Sequence, residues 1–256
     1  MHCFSFDIET VPDVEFGRRM WNLDGVADED VATAMTFKQL QKSGREFLPL
    51  HQHRIVAISV ALRTGDSFRV WSLGDETSEE GELVARFFDG IDRYTPDLVS
   101  WNGGGFDLPV LHYRALKHGI QAPRYWESGD SDRDFKWNNY LSRFHSRHTD
   151  LMDVLAAYQP RASASLDQIA VMLGFPGKLG MSGALVWDKF LQGGIREIRD
   201  YCETDVLNTW LVYLRYELMR GNLDDKGLAR EFDLVRSTLK TLDQPHLNEF
   251  LEAWES

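Results

Sequence analysis

The chain has 256 residues, with 40 acidic against 28 basic side chains, a net charge of −12 and 2 cysteines. Folding a chain this long removes roughly 70–75% of its extended surface from water, so no disulfide scaffold is needed, and the charge excludes a protein that coats nucleic acid through a basic surface. The longest apolar-dominated run, residues 55–62, is under half a membrane span, and Asp7 and Glu9 break any secretory pattern at the start, so a cytoplasmic protein with no membrane partner is expected.

Residues 3–9, CFSFDIE, alternate strictly. Phe4, Phe6 and Ile8 share one face, and Cys3, Ser5, Asp7 and Glu9 the other, which predicts a strand with two carboxylates on one side. Residues 10–50 show no sustained period and read as a long excursion with one helix near 28–42. Residues 54–62 and 67–73 are strand-like and separated by Thr64-Gly65-Asp66, a hairpin signal. Ser78 and two glutamates open an amphipathic helix carrying Leu83, Val84, Phe87, Phe88 and Ile91.

Residues 97–101 form a short apolar run that ends at Asn102 and three glycines. A helix is expected from Asp107, with Pro109 in its first turn and Gly119 beyond its end. Residues 121–148 read as loop or insert. Across 110–148 lie seven basic residues (Arg114, Lys117, Arg124, Arg133, Lys136, Arg143 and Arg147) against four acids, either a strip for a polyanion or a solvated surface. Ser165 caps a helix ending at Gly174, and residues 195–219 carry the longest helical pattern. Strands come first and helices then dominate, so one α/β unit is expected.

Asp7 and Glu9 sit inside a strand, where acids are depleted and a charge beside a core is costly. Same-face neighbours lie roughly 6.5–7 Å apart, so the two carboxylates can converge. Either they lap into solvent beside arginines, or they hold a metal. Asp107 either caps its helix or projects into the crevice that the glycines leave open after a strand. Tyr201 and Asp205 are one turn apart on a mostly inward stripe that lacks Lys and Arg. Four converging acids need cations, and an all-oxygen site selects Mg²⁺ or Mn²⁺. Two such ions about 3.5–4 Å apart suit phosphoryl transfer.

These residues resemble the three motifs of the DEDD superfamily of 3′–5′ exonucleases. Phe6-Asp7-Ile8-Glu9-Thr10 is similar to the first and Asn102-Gly-Gly-Gly-Phe106-Asp107 to the second. Tyr201-Cys-Glu-Thr-Asp205 is similar to the third, in the tyrosine form found in proofreading domains of family-B DNA polymerases. The resemblance implies an α/β, ribonuclease-H-like fold: a mixed central sheet with an antiparallel strand pair, flanked by helices. The core would span about 1–216 of one domain, with a C-terminal helical extension over 217–256.

The same resemblance implies that Asp7, Glu9, Asp107 and Asp205 hold two Mg²⁺ or Mn²⁺ ions. Tyr201 would orient the attacking water, since a phenol of pKa about 10 is a poor base at neutral pH. Thr10, Val11, Asn102 and Phe106 would contact the terminal nucleotide. The expected activity is release of nucleoside 5′-monophosphates from the 3′ end of single-stranded nucleic acid, with DNA favoured. No polymerase palm or fingers follows, which implies a free-standing nuclease or one serving a DNA polymerase or repair partner in trans. The alternatives are an exoribonuclease and a catalytically silent nucleic-acid-binding or polymerase-accessory module. His145, His148, Asp150 and Asp153 match no zinc pattern; an aspartate cap and surface histidines are expected there. Trp71, Trp101, Trp187 and Trp210 are expected in the core, and Trp126 and Trp137 are candidates for stacking on bases.

Overall fold

A computed structural model describes residues 2–256. Among them five strands make one sheet: β1 (His2–Pro12), β2 (His53–Thr64), β3 (Ser67–Ser72), β4 (Asp97–Ser100) and β5 (His148–Asp150), in the order β3-β2-β1-β4-β5. β1 and β2 pair antiparallel, as do β2 and β3, while β4 runs parallel to both β1 and β5. The helices α1 (Val14–Trp21) and α2 (Asp28–Ser43) lie between β1 and β2, and α3 (Glu80–Tyr94) precedes β4. Then come α4 (Asp107–His118) and α5 (Pro123–Trp126) before β5. After it follow α6 (Leu151–Leu155), α7 (Leu166–Met172), α8 (Val186–Leu191), α9 (Ile195–Met219), α10 (Asp225–Leu242) and α11 (Pro245–Glu255). This is the mixed, helix-flanked sheet expected of a ribonuclease-H-like fold.

The alternation of β1 decides the layering. Phe4, Phe6 and Ile8 pack with Leu83, Phe87 and Phe88 of α3 and Leu108 and Leu111 of α4. On the opposite face Cys3 joins Ala61, Val70 and Val99 under Val206, Trp210 and Tyr213 of α9. α7, α10 and α11 cover the outer side of α9, so this helix is buried nearly all round. Among the described residues no helix is long and apolar enough to cross a membrane.

Several sequence expectations shift. β1 runs two or three residues further than its alternating core, and α1 lies in what read as irregular chain. Asp13 caps α1 by accepting from the Phe16 N–H, and Gly17 inside it packs where a Cβ would stand 2.6 Å from Met35 Sδ of α2. That interior glycine weakens the helical signal while permitting the close packing. Ser78 does not cap α3; its hydroxyl instead accepts from the Asp75 N–H. β5 closes the stretch expected to be an insert, and α5 lies within it. By contrast, Gly119 ends α4, Ser165 and Gln168 form a capping box on α7, and α9 keeps its expected bounds.

Candidate active site

The site lies at the carboxyl end of β1. Asp7 and Glu9 project to the α9 side, and Glu9 is buried. The β1–β2 ladder slips beside them: Glu9 faces Ala57 and Thr10 faces Ile55, so Val56 is an extra residue in β2. Such bulges re-aim side chains and recur beside functional sites.

β4 pairs with β1 only over Cys3, Ser5 and the residue between them. Beyond that point this edge of β1 lacks a ladder partner, and the Asp107 carboxylate accepts from the Ile8 N–H at 3.1 Å. Asp107 therefore does not cap α4. It is the buried first residue of that helix, and Phe106 before it provides no capping bond.

The loop leading to Asp107 is held by Asp150, whose two carboxylate oxygens accept from the N–H groups of Asn102 and Gly104, both at 2.9 Å. A Cβ on Gly103 would lie 2.3 Å from Ser100 Oγ, and one on Gly105 2.4 Å from Asn102 Oδ1. These two glycines are thus needed by close approach within the loop, rather than by the approach of another molecule.

α9 brings Tyr201, Cys202 and Asp205 to the same place, all buried. The Tyr201 phenol interacts with the Asp205 carboxylate one turn on. The Cys202 thiol donates to the Asp7 carbonyl oxygen at 3.4 Å and stands 3.6 Å from Asp7 Oδ2. Asp7, Glu9 and Cys202 each offer one possible ligand atom, all within 4.8 Å of one another.

Electrostatics ties the four acids together. Desolvation, then the charges of Asp107, Glu9 and Asp205, push the Asp7 carboxyl well above its ordinary range. Glu9 is raised by burial and by Asp205 and Asp107. Burial lifts Asp107 to about 7, against the opposing Ile8 N–H, and Asp205 to about 6, against Tyr201 and Lys178. Among the described residues none of the four forms an ion pair. A cluster of this kind is held unfavourably until a cation enters or protons stay on. Its donor set, hard oxygens with mutual repulsion, fits divalent ions. With no cation bound, burial and the charges of Asp7 and Glu9 raise the Cys202 thiol, and a soft sulfur is a poorer partner than carboxylate oxygen for hard ions such as Mg²⁺. Burial and the Asp205 charge likewise raise Tyr201, which stays a neutral donor.

The remaining expected residues divide. Thr10 is half-buried, with its hydroxyl 2.9 Å from His53 Nδ1. Phe106 is half-buried beside Asp107, and Asn102 sits at a left-handed φ of 62° in the loop. Val11 is buried on the same face of β1 as Asp7 and Glu9, its side chain in a core cluster with Val186 and Ile198. His148 is no surface residue either. It is buried, with Nε2 2.8 Å from Ser100 Oγ, and burial lowers its pKa to about 4. Asp150 caps α6 as expected, and Asp153 pairs with Arg143. Of the tryptophans, Trp210 is fully buried, Trp71, Trp101 and Trp187 are partly so, and Trp126 and Trp137 are exposed.

Two neighbours of the site, Cys202 and Lys178, and the hold of Asp150 on the loop before Asp107 were missed by pattern reasoning. Lys178 is exposed, and its charge reaches Glu9 and Asp205. Its loop is pinned to α9 by Asn208, whose side chain accepts from the Gly177 N–H and donates to the Gly177 carbonyl. The signal available was a lone lysine in a Gly-rich turn, Gly177 to Gly180, between two helices.

Comparison with known proteins bears on this geometry. A family described as a predicted 3′–5′ exonuclease related to the exonuclease domain of PolB matches residues 45–254. That stretch holds the Asn102–Asp107 and Tyr201–Asp205 segments and begins after Asp7 and Glu9. A DNA polymerase from Pyrococcus glycovorans is 31% identical over 127 residues, which is 47% of this chain and 16% of the polymerase. DNA polymerase 1 from Sulfurisphaera ohwakuensis is 53% identical over 38 residues, 15% of this chain and 4% of that protein. The chain thus corresponds to a small part of these polymerases. Since the family match extends over most of the chain, from before β2 through α10 into α11, this protein belongs to the predicted 3′–5′ exonucleases related to the exonuclease domain of PolB.

Proposed function

We propose that the chain is a 3′–5′ exonuclease domain of the tyrosine-bearing DEDD class, acting on single-stranded ends with DNA favoured, and that residues 1–256 work as one unit. The observation that carries the reading is that four buried or half-buried acids from β1, α4 and α9 come close enough for their charges to act on one another, none in an ion pair among the described residues. Asp7, Glu9, Asp107 and Asp205 are the ligands of two Mg²⁺ or Mn²⁺ ions. Bound there, the ions supply charge to the attacking and leaving oxygens of the phosphodiester.

The chain's own groups do the rest. Tyr201, whose phenol proton is held by Asp205, accepts from the attacking water and fixes its direction. Asn102, Phe106 and Thr10 line the approach for the terminal nucleotide, and Lys178 supplies positive charge for its phosphate. Water oxygen bonds to phosphorus as the bond to the 3′ oxygen of the preceding nucleotide breaks. A nucleoside 5′-monophosphate leaves, and the shortened strand keeps a 3′-hydroxyl.

Incubation with an end-labelled 3′-hydroxyl oligonucleotide tests the assignment. Laddering from the 3′ end is expected under Mg²⁺ or Mn²⁺, with none in chelator and none for Asp7→Ala. A folded protein that binds the strand without shortening it at millimolar metal would instead be a silent binding module. Matched DNA and RNA strands in the same assay decide the sugar preference.

A further inference from the structure

The segment joining α2 to β2 carries an aromatic group that the chemistry above does not use. Leu48 in this segment is buried against Val31 and Met35 of α2, yet its neighbour Phe47 is 61% exposed. Single exposed phenyl rings are ordinary on protein surfaces. This one is held on two sides. Its centroid lies 5.2 Å from the His53 ring and 5.8 Å from the Phe106 ring, while His53 and Phe106 meet edge to face at 5.2 Å.

His53 explains why the segment stays there. The Leu48 carbonyl, 3.1 Å from Nε2, can only accept, so Nε2 carries the proton. Burial lowers the His53 pKa, which keeps the ring neutral and leaves Nδ1 to accept from the Thr10 hydroxyl at 2.9 Å. His53 thus ties Leu48 to Thr10, the residue after Glu9. Phe106 is the residue before Asp107. The exposed Phe47 ring therefore adjoins groups that are chain neighbours of two of the four acids.

We propose that Phe47, together with Phe106, forms an aromatic wall on which the base of the 3′-terminal nucleotide stacks, whatever its sequence. The proposal rests on the exonuclease reading. Every base presents a π face, so such a contact adds affinity without base preference. It makes Phe47 a substrate-positioning residue contributed from outside the three motifs.

The test compares single-stranded 3′-hydroxyl oligonucleotides that end in an ordinary nucleotide or in an abasic one, under Mg²⁺. Wild type should lose roughly tenfold in kcat/KM when the terminal base is absent. Phe47→Ala should cause a similar loss on the ordinary strand, mainly through KM, and change the abasic strand less than about twofold; Phe47→Trp should restore the ordinary strand. Equal wild-type rates on the two strands, an unaffected Phe47→Ala, or a loss of the same size on both strands would each overturn the proposal. Failure of the parent reading looks different: wild type then digests neither strand, or Asp7→Ala digests as well as wild type.

Discussion

Raised carboxyl pKa values give the site a pH signature whose sign is fixed. Unfolded aspartate ionises near pH 4, whereas Asp107 and Asp205 in the fold do so at about 7 and about 6. Between those limits the folded chain holds protons that the unfolded chain has released, so these groups lower stability as pH rises. His112 and His148, both lowered to about 4 by burial, act in the opposite sense and lower stability as pH falls from about 6.5 to 4. The difference between melting points with and without Mg²⁺ cancels the histidines and isolates the acids. At a hundredfold excess over its Kd, the ion adds about 2.7 kcal/mol, or roughly 5–10 °C in a chain of this length. We expect that gain at pH 8 and most of it lost by pH 5.5, where the ion competes with bound protons. A pH-independent gain in calorimetry would contradict the assignment of these four groups as ligands.

The loop from Trp101 to Phe106 owes its shape to β5 and α6, through the three N–H groups, of Asn102, Gly104 and Asp153, that Asp150 accepts. Hydrogen bonds to a charged acceptor are worth about 1.5–3 kcal/mol each. Asp150→Ala is expected to cost about 2–4 kcal/mol in denaturant unfolding and to lower kcat more than KM, since it frees the element that aims Asp107. Asp150→Asn, which retains one carbonyl oxygen, should fall between. The elements that carry the four acids were legible from regular signals: β1 by alternation, α9 by its 25-residue pattern, α4 by its glycine stop. What escaped notice lacks a period. β5 is three residues, and α1 is interrupted by Gly17. Cys202, Lys178 and Phe47 acquire their neighbours only when separate segments fold together.

The basic stretch at 110–148 is largely committed internally. Arg114 is buried between Asp13 and Glu80, Lys117 pairs with Asp13 and Glu15, and Arg124 with Asp132. Arg143 pairs with Asp153, and Arg147 lies over the Phe135 ring at 3.8 Å. Of the seven, that leaves Arg133 and Lys136 for phosphates, on a chain of net charge −12. Each phosphate neutralised on a single strand adds about 0.7 to the slope of log affinity against log salt. Holding one or two phosphates, this nuclease should lose less than about tenfold in oligonucleotide affinity between 50 and 200 mM salt. A loss of a thousandfold or more in a titration would reveal a polyanion track that this surface does not present.

Tyr201, Cys202 and Asp205 ride on one rigid helix, while Asp7 and Glu9 belong to a strand laced into the sheet. The gap between those two bodies is filled at one point by the Cys202 sulfur resting against Asp7. That atom fills space between the helix and the strand, beside the acids that each of them carries. A free thiol kept protonated in such company is there for its size and softness more than for its reactivity.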